Sequence, residues 1–350
     1  MTELEALIRQ KIEREGPLSV AHYMQLALTH PDHGYYMKGD PLGVGGDFTT
    51  APEISQMFGE LIGLWCAEVW NSLGKPDPFV CLELGPGRGT LMQDALRATA
   101  KIKGFHDAMR LCLMETNETL RVAQQEKLKE QDVTYLSDVS ELPPLPTIVL
   151  ANEFFDALPV HQYMRTPEGW RERMVGLQGE KFVFALDHNP VPLPLPEDKD
   201  FYEVSPLGVA LVQHLAAHFK AYRGAALIVD YGACEGAYRD TLQAVSGHAF
   251  APVLERPGAV DLTAHVDYTA LALAAQREGA RVFPCVTQMA FLHALGIEVR
   301  AWQLKLNADY DQAHAIDAGF ERLTDPDKMG ALFKVFAFAS ADLAEVPGFP

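Results

Sequence analysis

The sequence has little or none of several features that would identify a protein class directly. It holds five cysteines in 350 residues and no C-x-x-C pair, which argues against a zinc-ribbon or thioredoxin-like motif. Their odd count argues against a secreted disulfide framework. No apolar run reaches transmembrane length, and there is no internal repeat. The first five residues lack both a signal-peptide core and an Arg-rich transit pattern, so we expect a cytoplasmic protein without membrane insertion.

Basic residues are few relative to acids. The chain holds 29 Lys plus Arg against 47 Asp plus Glu, a formal net charge of −18 at pH 7. Such a charge repels a polyphosphate and attracts basic peptides, so we do not expect a nucleic acid as a partner. Hydrophobic residues at 48% and charged residues at 22% are typical of a globular protein. The length allows roughly two domains, or one domain with large insertions.

One stretch combines a buried strand, a glycine turn and a helix. Residues 80–84 are apolar except for Glu83, and they lead into glycines at G-x-G-x-G spacing, Gly85, Gly87 and Gly89. Free amides at the start of the helix that follows favour a carboxylate or hydroxyl oxygens. A dinucleotide fingerprint would place its third glycine three residues after the second. The spacing therefore favours another nucleotide-type cofactor, with an ordinary strand-to-helix turn as the alternative.

Further predicted strands end on polar residues. The second ends on Glu115, which could accept from ribose hydroxyls, and the third ends near Asp138, a candidate neighbour of an adenine ring. The fourth runs directly into N-E-F-F-D-A-L-P-V at 152–160. Ligands in open parallel sheets bind outside the carboxyl ends of the strands, so this segment should face the reacting group. Each acid taken alone is more often a solvated strand end.

The N-terminal part predicts two short helices and a long loop. Thr2 and Glu5 form a capping-box pattern, and Ser19 can cap the second helix. A glycine-rich run at 43–53 then precedes an apolar helix at 54–73. A loop of this length is usually functional or disordered, and its aromatic residues and hydroxyls favour function.

The pattern changes after residue 160. Residues 163–164, 171–177 and 181–186 alternate like antiparallel strands, which predicts a β insertion. His214 and His218 stand four apart on a predicted helix, but no acid in an H-E-x-x-H arrangement accompanies them, so a metal site is not expected. The other predicted segments are a strand at 225–230, a strand at 281–286, helices between 288 and 320, and a last strand at 333–338.

Four segments together resemble the MidA family, bacterial relatives of the mitochondrial complex I assembly arginine methyltransferase. They are E-L-G-P-G-R-G-T at 83–90, G-D-F-T-T-A-P-E-I-S-Q-M-F-G at 46–59, N-E-F-F-D-A-L-P-V at 152–160 and D-L-T-A-H-V-D at 261–267. The resemblance extends over about residues 8 to 338, and the N-E-F-F-D-A-L-P-V run is its most specific part. Ala51 departs from the family, which usually has serine there, so a hydroxyl contact at that position is in doubt.

The resemblance implies an α/β fold of the class I S-adenosyl-L-methionine (SAM) methyltransferases. It implies a Rossmann-like seven-stranded sheet with an N-terminal helical extension, a β insertion and a C-terminal helical insertion. We place the extension and its glycine-rich loop in residues 1–75 and the methyltransferase domain in 76–350. The insertions are expected near 160–200 and 287–328.

The same resemblance implies SAM as the cofactor and a protein as the substrate, with a complex I subunit as one candidate. The residues it assigns to the cofactor are Glu83 near the methionyl amino group, Gly85, Gly87, Gly89, Glu115 on the ribose, Asp138 near the adenine, Asn152, and Thr49 and Thr50, which would close over it.

An arginine acceptor would need acids, because carboxylates can hold a protonated guanidinium bidentately and localise its charge. Glu153 and Asp156 are the catalytic candidates, with Asp230, Asp261 and Asp267 as weaker ones. For the first of these, the alternative is a partner for loop amides. Two other function classes stay open, a small-molecule methyltransferase and a non-catalytic assembly factor that binds SAM.

Overall fold

The chain divides by its internal contacts into two units, each built from three separate segments. The computed structural model describes residues 2–38, 50–196, 198–247 and 249–350. Unit 1 comprises Met1–Phe48, Phe155–Ala210 and Ala233–Ala270, and unit 2 comprises Thr49–Phe154, Leu211–Gly232 and Leu271–Pro350. The glycine-rich loop up to Thr49 lies outside the described residues, so its predicted role is not addressed by the structure.

The elements are as follows. The helices are α1 Glu3–Glu15, α2 Val20–Thr29, α3 Ala51–Ile54, α4 Gln56–Ser72, α5 Thr90–Thr99, α6 Phe105–Ala108, α7 Glu118–Lys127, α8 Pro206–Tyr222, α9 Tyr268–Arg277, α10 Gln288–Ala294, α11 Ile297–Lys305, α12 Tyr310–Thr324 and α13 Met329–Leu332. The strands are β1 Leu18–Ser19, β2 Phe79–Leu84, β3 Met109–Met114, β4 Val133–Leu136, β5 Thr147–Asn152, β6 His161–Thr166, β7 Gly169–Gln178, β8 Lys181–Val191, β9 Phe201–Val204, β10 Gly224–Ala233, β11 Gln243–Ser246, β12 Ala249–Ala251, β13 Asp261–Thr263, β14 Val266–Asp267, β15 Arg281–Val282, β16 Val286–Thr287 and β17 Phe333–Ala339.

Unit 2 contains the sheet that the sequence predicts. Seven strands follow one another in the order β15-β17-β10-β5-β2-β3-β4. β2, β3, β4, β5 and β10 run parallel, and β17 runs antiparallel to β10. β2 lies between β3 and β5, where the strand order reverses, and ligands of open α/β sheets bind at such a point. The predicted α/β fold with a Rossmann-like, mostly parallel sheet is confirmed.

The central strands are apolar because both faces of the sheet are covered. Every residue of β2 is buried, as expected for a parallel strand covered on both sides. One core of unit 2 includes Trp65 and Trp70 of α4, Phe79 of β2 and Phe105 of α6. Burying a single acidic side chain in such a strand costs free energy, so the position of Glu83 near the end of β2 requires a physical explanation.

Unit 1 contains the predicted β insertion. The order β1-β7-β6-β9 is antiparallel, and β8 also pairs with β7. The buried faces of α1 and α2 share a core with this sheet, including Leu4, Ile8, Tyr23 and Val175. The Thr2 capping box and the Ser19 cap are both present, which confirms the two helix starts.

Two predicted elements are broken in the structure. The helix predicted at 54–73 is interrupted at Ser55, whose extended backbone ends α3 and whose hydroxyl accepts from the Met57 amide at 3.3 Å to start α4. The strand predicted at 281–286 consists of β15 and β16, which pair separately with β17. Pro284 lies between them and has no N–H to donate to a ladder. None of the helices in the described ranges is both long and apolar enough to cross a membrane.

Candidate active site

The carboxyl ends of three strands bring the predicted cofactor residues together. Leu84 of β2 pairs with Met114 of β3 on one side and with Ala151 of β5 on the other. The amide of Gly85 donates to the Met114 carbonyl at 3.0 Å. Gly85, Glu115 and Asn152 therefore follow or end adjacent strands at one edge of the sheet.

The turn after β2 requires glycine at each predicted position. Gly85, Gly87 and Gly89 have φ values of +59°, +54° and +76°, in the left-handed region that L side chains rarely adopt. A Cβ added at Gly85 would lie 2.8 Å from Cδ2 of Phe154. Gly89 is the N-cap of α5, so its backbone turns the chain into the helix. The positive φ at all three positions explains why the sequence has glycine there.

Glu83 is a buried acid with an unsatisfied oxygen. Its side chain is 2% exposed, and Oε2 has no hydrogen-bond partner among the described residues. Burial first, and the nearby Glu115 charge second, raise the pKa of Glu83 to about 8. A positively charged ligand atom beside this carboxyl group would favour its ionised form.

Glu115 is held in place from its own loop. Its Oε1 accepts from the amides of Thr116 and Asn117, both at 2.8 Å, while Arg121 Nε donates to its carbonyl at 2.8 Å. Burial raises the pKa of Glu115, and the two amide bonds oppose that rise. One oxygen is thus engaged by the backbone, and the other lies 3.5 Å from Gln124 Nε2.

Gln124 of α7 belongs to this site and was not predicted from the sequence. It is fully buried, and its Nε2 donates to the Gly87 carbonyl at 2.6 Å. Its Oε1 is buried without a partner in the part of the chain that the structure describes. One feature of the sequence could have indicated this residue. Gln124 is a polar residue one turn after the apolar Leu120, on a helix that follows a strand ending in an acid.

Asp138 has a local structural partner. It is exposed, and its Oδ1 accepts from the Ser140 amide at 2.8 Å to cap a 3-10 turn at Val139–Glu141. The hydrogen bonds with Ser140 lower the pKa of Asp138. Its role beside the adenine stays a prediction.

The short helix α3 is tied to the glycine turn through Glu53, which the sequence analysis also missed. Thr50 is the N-cap of α3, although its side chain makes no cap hydrogen bond. Glu53 accepts from the hydroxyl of Thr90, and its carboxylate lies 3.9 Å from Arg88 and 4.0 Å from Lys127. These contacts fix the residues that follow the glycine-rich loop against the start of α5.

Glu153 has an unusual backbone and a structural partner. Its φ is +50°, which is uncommon outside glycine. Oε1 accepts from the Ala51 amide at 3.0 Å and from Asn152 Nδ2 at 3.2 Å. Asn152 Oδ1 is buried without a partner within the described ranges. The Ala51 contact corresponds to the alternative role, a partner for loop amides, and the catalytic role stays a prediction.

The other candidate acids are all buried or partly buried. In unit 1, Asp156 is 6% exposed, Asp261 accepts from the Tyr36 hydroxyl at 3.0 Å, and Asp267 accepts from the Ala270 amide at 3.1 Å. In unit 2, Asp230 accepts from the Tyr231 amide at 2.9 Å. Two of the five candidates, Glu153 and Asp230, thus belong to the unit that holds the glycine turn.

His218 is a core histidine. Its Nε2 lies 3.0 Å from the Thr147 hydroxyl and 3.1 Å from the Leu145 carbonyl, and burial lowers its pKa. These contacts engage Nε2 of His218 inside the core.

The donor and acceptor set of this edge fits SAM. Glu83 Oε2, Gln124 Oε1 and Asn152 Oδ1 are buried acceptors that each require a donor. SAM offers an ammonium, ribose hydroxyls and an adenine amine, which are donors, and it carries no pyrophosphate to be repelled by the acids. The chemistry of the site thus matches the cofactor that the motif spacing favours.

Comparisons with known proteins agree with this assignment. A family model described as "Putative S-adenosyl-L-methionine-dependent methyltransferase" matches residues 61–286. Relatives named "Protein arginine methyltransferase NDUFAF7, mitochondrial" are 38% identical in Danio rerio, over 94% of this chain and 85% of the relative, and 35% identical in Homo sapiens, over 93% and 81%. The crystal structure of a superfamily relative from Burkholderia thailandensis bound to S-adenosyl-homocysteine is 28% identical, with a TM-score of 0.84 over 99% of this chain and 93% of that one. The chain therefore belongs to this family of SAM-dependent methyltransferases, the MidA-like family that its sequence motifs resemble.

Proposed function

We propose that this methyltransferase acts on an arginine side chain of a protein substrate. The observation that carries the proposal is its similarity, over more than nine-tenths of the chain, to relatives that are named protein arginine methyltransferases. The net charge of −18 supports it, because an acidic protein attracts basic segments. We further propose a cytoplasmic location and a subunit of respiratory complex I as the substrate, the latter because the sequence resembles the MidA family.

In this reaction SAM supplies a methyl group already activated by a sulfonium. The protein has to align the acceptor, exclude water and hold the guanidinium so that its charge lies away from the attacking nitrogen. Glu153 is our candidate for that last task, since it directly follows β5 at the edge where the glycine turn lies. Its left-handed backbone costs stability, and such strain is often retained where a side chain must be aimed precisely.

The test uses extract from a deletion strain, purified full-length protein and methyl-labelled SAM. A labelled polypeptide band supports the proposal. Label in small metabolites alone would indicate a small-molecule methyltransferase, and no label would indicate a non-catalytic SAM-binding factor. A band lost when complex I subunits are removed from the extract would identify the substrate class.

Glu153→Gln separates catalysis from cofactor binding. We expect transfer to fall at least about a hundredfold, or ~2.7 kcal/mol of transition-state stabilisation, with little change in SAM affinity. Asp156→Asn tests the second candidate, and Glu126→Gln, on an exposed face of α7, is the matched control with normal transfer. Full transfer by both Glu153→Gln and Asp156→Asn would contradict the acidic site. Loss of SAM binding in Glu153→Gln would instead assign this residue to the cofactor, through the Ala51 contact.

A further inference from the structure

A group of aromatic rings lies on one face of the β insertion in unit 1. His161 and Tyr163 of β6, Tyr202 of β9 and Tyr238 in the loop after β10 follow one another. The ring centroids are separated by 6.4, 6.4 and 5.9 Å, and the planes of successive rings differ by 13°, 22° and 35°. All four residues are half-buried, so each keeps some exposed surface. We call these four residues the aromatic face.

The strand register explains why these rings share a face. Tyr163 pairs with Tyr202 of β9 and with Glu172 of β7, so the three side chains point the same way. The alternate residues Gln162 and Glu203 point to the opposite side, where the Gln162 Nε2 donates to Glu203 Oε2 at 2.6 Å. The face of the sheet opposite the rings is thus polar and buried at these two positions.

The buried network behind the rings keeps their spacing fixed. Gln162 Nε2 also donates to Asp240 at 3.0 Å, and its Oε1 accepts from Arg173 at 3.1 Å. Thr241 donates to the remaining oxygen of Glu203. Satisfied networks of this kind make a core rigid, so the aromatic face is preorganised and does not have to form on binding.

Acids accompany the aromatic face. Glu172 Oε1 lies 2.6 Å from His161 Nδ1. Burial raises the pKa of Tyr202 to about 12, and the Asp267 carboxylate is the next largest cause. Ring faces and carboxylates both attract cations. A cation of the chain itself shows this, since Lys199 Nζ lies 5.4 Å from the centroid of the Tyr238 ring.

We propose that the aromatic face binds arginine side chains of an extended segment of the protein substrate. It deepens the proposed function and rests on it, because it names how that substrate is held. Guanidinium planes stack on aromatic rings better than ammonium groups do. Alternate residues of an extended chain repeat about every 6.6 Å, close to the separations of 6.4 and 5.9 Å between Tyr163, Tyr202 and Tyr238, whereas His161 lies along β6 from Tyr163. Arginines at alternate positions would thus meet successive rings.

The probe is a fluorescent peptide of four Arg-Gly repeats, with its binding to the full chain measured by anisotropy. We expect Tyr163→Leu/Tyr202→Leu to weaken binding about tenfold, because each exposed ring contributes a factor of roughly two to five. Tyr163→Phe/Tyr202→Phe keeps the rings and should bind like the wild type. Tyr310→Leu is the matched control, since Tyr310 is 84% exposed on α12.

The control peptides test charge and spacing separately. The same peptide with citrulline in place of arginine should bind at least tenfold more weakly. Four arginines separated by three glycines each should also bind more weakly. Unchanged binding by the leucine pair, or equal loss in Tyr310→Leu, would overturn the proposal, because the attraction would then be the general field of an acidic protein. If the leucine pair does not fold, as judged by lost S-adenosyl-homocysteine binding, Tyr238→Leu replaces it, with a loss of roughly two- to fivefold expected.

Peptide binding and methyl transfer are read independently, so the two proposals can fail separately. Binding to the aromatic face without any labelled polypeptide in the extract would leave this site standing and remove the proposed function. Labelled polypeptide with no effect of the leucine pair on peptide binding or on KM would remove this site and leave the proposed function standing.

Discussion

Glu83 offers a test in which stability and cofactor binding should change in opposite directions. The change is Glu83→Gln, which keeps the shape of the side chain and removes its ability to ionise. The wild-type side chain is buried at the end of β2 with a pKa of about 8, raised from 4.5. Its contribution to folding is fully present below pH 4.5 and is lost as the pH rises through about 8, because ionisation is then easier in the unfolded chain.

The size of the effect follows from that pKa difference. At 1.36 kcal/mol per pH unit, the wild type has lost about 3 kcal/mol at pH 7 and close to 5 kcal/mol above pH 8. Glutamine does not ionise, so the variant should be more stable than the wild type at pH 8 by up to this amount. Its amide is also desolvated, which reduces the gain. Near pH 4.5 the advantage should disappear.

Cofactor binding should respond in the opposite sense. If Glu83 accepts from the methionyl ammonium, binding requires its ionised form, and wild-type affinity for S-adenosyl-homocysteine should fall about tenfold per pH unit below pH 8. The variant should bind about 10- to 100-fold more weakly at pH 8, the value of a lost charge-assisted hydrogen bond.

Urea unfolding of the ligand-free proteins and calorimetry with S-adenosyl-homocysteine at pH 6, 7 and 8 measure both effects. The amino group of the ligand also titrates, but it affects binding to both proteins equally, so the difference between wild type and variant reports on Glu83 alone. A variant that is less stable than the wild type at pH 8, or that keeps the same pH slope for binding, would refute this reasoning.

Two further changes test the turn and the insertion. Gly87→Val should abolish SAM binding in a folded protein, because φ is +54° there and the ligand must approach the backbone; unchanged affinity by calorimetry, or tighter binding of NAD than of SAM, would contradict the cofactor site. Burial raises the pKa of Glu203 from 4.5 to about 7, so the wild type loses the contribution of this side chain to stability as the pH rises through that value. The free energy of unfolding of Glu203→Gln, relative to that of the wild type, should therefore increase between pH 5 and pH 8 by up to about 3 kcal/mol. Urea unfolding that shows no pH-dependent gain would assign Glu203 a stabilising charge instead.

Local patterns were sufficient for the frame of the site. The strand before the glycine turn is apolar because both of its faces are covered, and the three glycines are required by positive φ values. Both constraints act within a few residues, so both can be recognised directly in the sequence. The strand ends at Glu115 and Asn152 were predictable for the same reason, since the carboxyl ends of parallel strands meet at one edge.

Contacts between distant residues were not predictable from such patterns. Gln124 donates to a carbonyl 37 residues earlier, and Glu53 accepts from a hydroxyl 37 residues later. Neither has a neighbour in sequence that indicates its partner. The contact between Glu153 and the Ala51 amide, 102 residues apart, likewise depends on tertiary structure and gives this acid a structural partner, while its catalytic role stays a prediction.

The division of the chain into interleaved segments limits how this protein can be dissected. The chain passes between the units at residues 48/49, 154/155, 210/211, 232/233 and 270/271, so neither unit is a continuous stretch that could be expressed alone. Leu4 and Leu262 share one core, and Trp65 and Val346 share another, so a truncation at either end would open a core that residues from a distant part of the chain complete. Contacts over such sequence separations are also slow to form, which leaves apolar surface exposed for longer during synthesis. Circular permutation would be a gentler way to engineer this enzyme than domain excision.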